Sequence, residues 1–343
     1  MTWPFKEGVD SPRGRGHTNA FEVVAMAETY RELGYRVEVT DHDDHFYIPP
    51  KDCSVVIDLH GQLERWAPFL PKKCRRILHA TTAHWLQANE SALRRLSYLR
   101  DRKGVALFPR RQVEPSSSVA LADEIVVLGN EHTTESFRFA NKPITRIPIS
   151  SAYEFPWPKE RDFSQAKKNF LWLGSYGMAH KGLDLLLEAF AQMPELSLTV
   201  CGRPEKEKDF FELYKKELTQ TSNIHLHGWI NMGSPEFLKL ARTHAAIIYP
   251  SCSEGGGGSV IHCMHAGMVP LCTREASVDL EDFGILIKEG TVEGVIEAMK
   301  KFVALADNEV EQCAMAAYEH VRRHHTREQF QKNYSAFAKN LLS

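Results

Sequence analysis

The stretch HAAIIYPSCSEGGGGSVIHCMHAGMVPL, residues 244–271, decides how this chain is read. An apolar, strand-like run leads to an acid, Glu254, then to Gly255, Gly256, Gly257 and Gly258, and then to a small-residue helical pattern opening near Ser259. Glycines between a strand and a helix let backbone N–H groups approach an anion closely, and the helix N-terminus adds its partial positive charge. A purely structural turn rarely needs four of them, because each costs roughly 0.5–1 kcal/mol of extra backbone entropy relative to Ala. Glu254 does not suit a site for bare phosphate. A carboxylate there is repelled unless it accepts hydrogen bonds from hydroxyls, so the pattern reads as a cradle for a sugar joined to phosphate.

On either side of this stretch, β-rich runs alternate with helical patterns, the signature of parallel sheet. A first series is expected at 36–41, 53–59, 75–80, 124–129 and 144–149, and a second at 169–175, 196–202, 224–229, 245–251, 269–273 and 284–288. Between them SSAYEFPWPKERDFSQAKK, residues 150–168, has prolines and charges without periodicity and reads as an interdomain connection. Residues 19–33 form a helix with a capping box at Asn19 and Glu22, stopping at Gly34, and 181–192 carries Leu183, Leu186, Leu187 and Phe190 on one face. Residues 307–341 form one or two terminal helices, broken near Thr326. The chain is thus expected to be α/β, with residues 1–155 and 156–325 as two domains facing each other across a cleft and 326–343 as a terminal helix returning to the first.

The 343 residues suffice for two cores, and 42 basic against 44 acidic residues give a net charge of −2, so no global field draws the protein to nucleic acid. No apolar run spans a bilayer and no signal-peptide core follows Met1, which points to the cytosol. The seven cysteines lack CxxC spacing and read as buried thiols, and the sixteen histidines show no metal-ligand spacing. DHDDH, residues 41–45, reads as a polar turn, and no metal or cofactor site is expected.

The blocks LGSYGMAHKGLDLLLEAF (173–190), VCGRP (200–204), IHLHGWI (224–230) and the glycine segment resemble the nucleotide-sugar domain of retaining GT-B glycosyltransferases of the family 4, group 1 type. The resemblance covers about residues 169–305 and implies two Rossmann-like domains. It also implies a metal-independent transfer of a sugar, with retention, from a nucleotide-sugar donor to a glycan or lipid-linked acceptor. By the same resemblance Lys181 binds the donor diphosphate, Glu254 contacts the transferred sugar, and Gly174, Arg203, Trp229 and Ile230 belong to the donor site. The family's arginine position falls at Ser175, and its second acid, eight residues after Glu254, at His262. Trp229 reads equally well as a core residue.

The first half resembles the family more loosely. GRGHTNAFE (14–22) stands at its glycine loop, and ILHATTAH (77–84) ends a strand where relatives place a residue near the transferred sugar, so His79 is the candidate and His84 the runner-up. Only TWPF precedes the glycine loop as a first strand, so either that strand is very short or the start lies upstream. The run 94–111, with seven cations among Leu96, Leu99 and Phe108, reads either as a solvated helix or as a surface for an acidic acceptor or for peripheral membrane contact. The rival reading of the whole is a non-catalytic binding or regulatory protein on this scaffold.

Overall fold

A computed structural model describes residues 2–342. The backbone divides into two units, one of residues up to Gln87, Val113–Ala152 and from His324 on, the other of Ala88–Gln112 and Tyr153–Arg323.

The first unit is a parallel four-stranded sheet of β1 (Val55–Asp58), β2 (Arg75–Ala80), β3 (Glu124–Val127) and β4 (Ile144–Arg146), paired in that order. Val56, Leu78, Ala80, Ile125 and Val127 form its core with Leu63, Trp66 and Phe137. Helix α1 (Thr18–Glu32) packs on the terminal helix of the chain, Arg327–Leu342, through the ring pairs Phe21–Phe330 and Tyr30–Tyr334. Three local expectations change here. Residues 36–41 form no strand: the sheet ends at β1, and Val39 stays 38% exposed. Of TWPF, the candidate first strand, Thr2 precedes a helical turn, Trp3–Glu7, and the other three residues begin it, with Pro4 in its first turn, where the missing N–H costs nothing. The capping box is absent: α1 starts at Thr18 after His17, and Glu22 turns inward to accept from the Ser150 amide (2.8 Å) and hydroxyl (3.0 Å). Burial pushes the Glu22 carboxyl up to about 7, the Ser150 bonds opposing it.

The second unit is a six-stranded parallel sheet. Its strands are β5 (Asn169–Leu173), β6 (Ser197–Cys201), β7 (Ile224–Leu226), β8 (Ala246–Tyr249), β9 (Val269–Cys272) and β10 (Ile285–Leu286), in the order β10-β9-β8-β5-β6-β7. The order reverses between β5 and β8, which pair at Phe170–Ala246 and Leu171–Ile247. That is a doubly wound Rossmann arrangement, and ligands of such sheets bind outside the carboxyl ends of the strands at the reversal.

The run 94–111 belongs to this unit, not to the domain of residues 1–155. Helix α2 (Trp85–Lys103) lays Arg95 and Arg102 against Asp184 and Glu188 of helix α3 (Leu183–Ala191). Lys103 meets Glu188 and Glu217, while Arg110 meets Glu207 and Asp209. These four cations are matched by buried or half-buried acids, while Arg94 and Arg100 of the same run stay exposed beside Glu90 and Asp101. Covering by α2 also explains why α3 is buried well beyond the one predicted stripe, with Asp184 fully enclosed beside the leucines. Residues 153–168 likewise pack on this unit, against its helices: Arg161 donates to the carbonyls of Gly267, Ala241 and Ala266, and Phe155 lies on Phe237. The chain closes with α5 (Asp307–His324) and α6 (Arg327–Leu342), separated at Thr326, whose hydroxyl caps α6 by accepting from the Gln329 amide. All seven cysteines are free thiols.

Candidate functional site

The loops that leave β5 and β8 carry the expected residues. After Leu173 the chain runs through Gly174 and the exposed Ser175 to Gly177, at φ 81°, and Gly182, at φ 76°. A Cβ at Gly182 would stand 2.4 Å from the Pro250 carbonyl, so the two loops can touch only because that residue is glycine. They are then tied together: Cys252 N donates to His180 O (2.9 Å) and His180 Nε2 to Ser253 O (2.6 Å). From α2, Arg95 donates to Ala179 O (3.2 Å) and Pro250 O (2.8 Å), one guanidinium gripping both loops.

Within this frame Lys181 Nζ lies 2.6 Å from Glu254 Oε1. The same oxygen accepts from Tyr249 OH and Ser251 Oγ, each at 3.1 Å, while Lys181 also donates to Tyr249 OH at 2.5 Å. Glu254 Oε2 accepts from Arg111 Nη2 at 3.1 Å. Burial would raise the Glu254 carboxyl, but Lys181, Arg111 and His180 overcome it and hold the group well below the carboxylate range. Lys181 is lowered by burial, with Glu254 opposing; His180 is pushed down to about 4 by burial and is neutral near pH 7.

Gly257 turns the chain into helix α4 (Gly258–His265) at φ 60°. A Cβ on Gly257 would meet Val278 Cγ2 at 2.3 Å and Ala276 O at 2.7 Å. The first amides of α4, from Gly258 and Ser259, lie beyond reach of intrahelical carbonyls, as at every helix start, and the adjoining Gly255 and Gly256 carry no side chain to cover them. In the loops that follow β6 and β7, the Arg203 guanidinium stands 5.0 Å over the Trp229 ring. Trp229 is 55% exposed and therefore not a core residue, whereas Ile230 beside it is buried.

Two expected residues behave differently. His262 Nδ1 donates to Gly258 O (2.6 Å), one turn back on its own helix, and burial lowers the ring to about 4. His79 lies inside β2 opposite Val126, 1% exposed and 6.0 Å from the Tyr334 ring, with burial lowering it to about 4. It is a core residue of the first unit, because alternation in β2 turns it onto the helix-covered face. His84, in the following loop, is half-buried among Trp85, Phe137 and Phe139. Sequence reasoning missed Arg111 and Arg95 as parts of this site. The signal was a basic run far from the glycine segment, with nothing local to show which acids it would meet.

Residues 167–304 match the family described as Glycosyl transferases group 1. The second unit carries a group 1 glycosyltransferase domain. No curated protein matches the sequence. Among solved structures, WaaG, a glycosyltransferase involved in lipopolysaccharide biosynthesis, superposes with a TM-score of 0.55 at 16% identity, covering 92% of this chain and 94% of that one. A UDP-forming α,α-trehalose-phosphate synthase from Burkholderia xenovorans gives 0.58 at 11% identity, over 95% and 79%. S. aureus TarM, in complex with Fondaparinux, alpha-GlcNAc-glycerol and UDP, gives 0.52 at 15% identity, over 77% and 50%. The chain spans about half the length of the TarM and GtfA/B structures it resembles. At these identities the likeness is one of fold: two Rossmann-like units of GT-B type, with the Lys181–Glu254 pair at the sheet reversal of the glycosyltransferase domain.

Proposed function

We propose that this chain is a glycosyltransferase that moves a sugar from a nucleotide-sugar donor to a glycan or lipid-linked acceptor, with retention of configuration and without help from a metal ion. The observation that carries the reading is the 2.6 Å pairing of Lys181 with Glu254, buried at the reversal of the sheet and followed by the glycine turn into α4. In this reading Lys181, the amides of residues 255–258 and the α4 dipole neutralise the diphosphate as it departs, which is electrostatic catalysis of bond cleavage. Glu254, kept ionised, accepts hydrogen bonds from hydroxyls of the transferred sugar. Arg203 and the exposed face of Trp229 receive the base. The departing phosphate takes the acceptor proton on the face it leaves. The UDP named for TarM and the UDP-forming synthase supports a nucleoside diphosphate as leaving group, and the role named for WaaG supports a glycan or lipid-linked acceptor.

A second reading, a binding protein without turnover, draws on His262, whose Nδ1 is committed to its own helix where the family's second acid is expected, and on Ser175. Release of nucleoside diphosphate from a panel of nucleotide sugars, with and without acceptors, tests both. Turnover that Lys181→Ala reduces at least about a hundredfold supports the enzyme. Binding without turnover under every acceptor supports the second reading. An inverted anomeric centre in the product, read by NMR, would overturn retention.

A further inference from the structure

Two cations share one carboxylate at Glu254. Lys181 and Arg111 stand on opposite oxygens at 2.6 and 3.1 Å, and Tyr249 and Ser251 add neutral donors. One carboxylate balances one cation, His180 is neutral, and the cluster keeps a net charge of one positive unit. The two cations are not equivalent. The Lys181 side chain is 7% exposed and sealed in, while that of Arg111 is 34% exposed, and of the five guanidinium donors Glu254 takes one. The loop 174–182 contributes Lys181 as its one permanent cation; Arg111 brings the second from 143 residues before Glu254.

The backbone is shaped to deliver it. Arg111 adopts φ 59°, a left-handed conformation that costs a non-glycine residue free energy and persists only where the surroundings enforce it. Opposite, Gly177 lies at φ 81°, and a Cβ there would stand 2.6 Å from Arg111 Cδ. The arginine stem is therefore laid along the bare backbone of the loop that follows β5, with its head over the site. Neighbouring Arg110 is held aside by Asp209 at 2.7 Å.

We propose that Arg111 is a donor-binding residue, exchanging Glu254 for a phosphate oxygen of the nucleoside diphosphate when sugar hydroxyls take its place on the carboxylate. The assignment rests on the donor reading above. A planar guanidinium suits this exchange because it binds carboxylate and phosphate with the same paired donors.

The test is calorimetric titration of the whole chain with UDP, GDP and ADP, with the matching nucleosides, and with inorganic pyrophosphate, for wild type, Arg111→Ala, Arg111→Lys and Arg111→Gln. Gln keeps most of the stem and one donor for Glu254, so it serves if Ala fails to fold. Arg111→Ala and Arg111→Gln should weaken the preferred diphosphate and pyrophosphate by about tenfold or more while leaving the nucleoside unchanged, and Arg111→Lys should recover part of the loss. Wild-type diphosphate affinity in the Ala or Gln variant overturns the assignment and leaves the donor reading intact. Equal loss for nucleoside and diphosphate also overturns it, by marking a change of site shape. A wild-type protein that binds neither diphosphates nor pyrophosphate defeats the donor reading and this assignment together.

Discussion

Glu254 is the residue on which the candidate site turns, and its surroundings make it a stability group. Its folded carboxyl lies below its ordinary 4.5, so the native state binds fewer protons than the unfolded chain as pH falls toward that value. The contribution is fully present above 4.5 and drains away below it. Glu254→Gln should therefore cost about 3 kcal/mol at neutral pH, because two cations lose their buried counter-charge, and the variant should lose less than wild type on acidification below 4.5. Urea unfolding across that range checks both; parallel pH profiles would show that the ion pair is not what stabilises the turn. Glu22 has the opposite sign. Its pKa is raised to about 7, so its proton is retained in the fold between 4.5 and 7 and stability falls as pH rises through that window. Glu22→Gln keeps the acceptor for Ser150 and should be more stable than wild type above pH 7, by about 3 kcal/mol at most. Neither shift was legible in the sequence, where Glu22 reads as an ordinary capping acid.

Among the elements, α2 is the one whose role differs most from its pattern. Its cations suggest a solvated or membrane-facing helix, yet Arg95 holds the Ala179 and Pro250 carbonyls and faces Asp184 at 3.6 Å. Burial raises the Asp184 carboxyl while Arg95 and Arg102 oppose it. Arg95→Met should destabilise the protein by about 3 kcal/mol and lower turnover without the side chain touching a ligand. The urea midpoint and kcat together check it, and unchanged kcat in a folded variant would remove the bracing role. The glycine turn is the element the sequence describes best. Gly257→Ala should cost more than about 2 kcal/mol, since it meets both a left-handed φ and atoms at 2.3 and 2.7 Å, while Gly8→Ala, at φ 86° with no neighbour within 4 Å, should cost less. Equal melting losses for the two would show that the close approach is relieved by small shifts.

For the whole molecule, a nucleoside diphosphate at a hundred times its Kd should stabilise the protein by about 2.7 kcal/mol, with gains in hydrogen-exchange protection concentrated in 175–181, 229–231 and 254–262. Protection elsewhere alone would move the donor site. The alternation of strands and helices and the glycine turn are legible in the sequence, because each rests on local periodicity or on backbone chemistry that only certain residues permit; Lys181 and Glu254 enter together through family resemblance, and their pairing belongs to the fold. The sequence misjudged 36–41 and His79 because strand patterns do not show whether a sheet has room for another strand, or which of its faces is covered. That Arg111 and Arg95 join residues far along the chain emerges with the assembled fold. Long charged side chains choose partners by where packing leaves an unmatched acid, and that is settled by the assembled core rather than by neighbours in sequence.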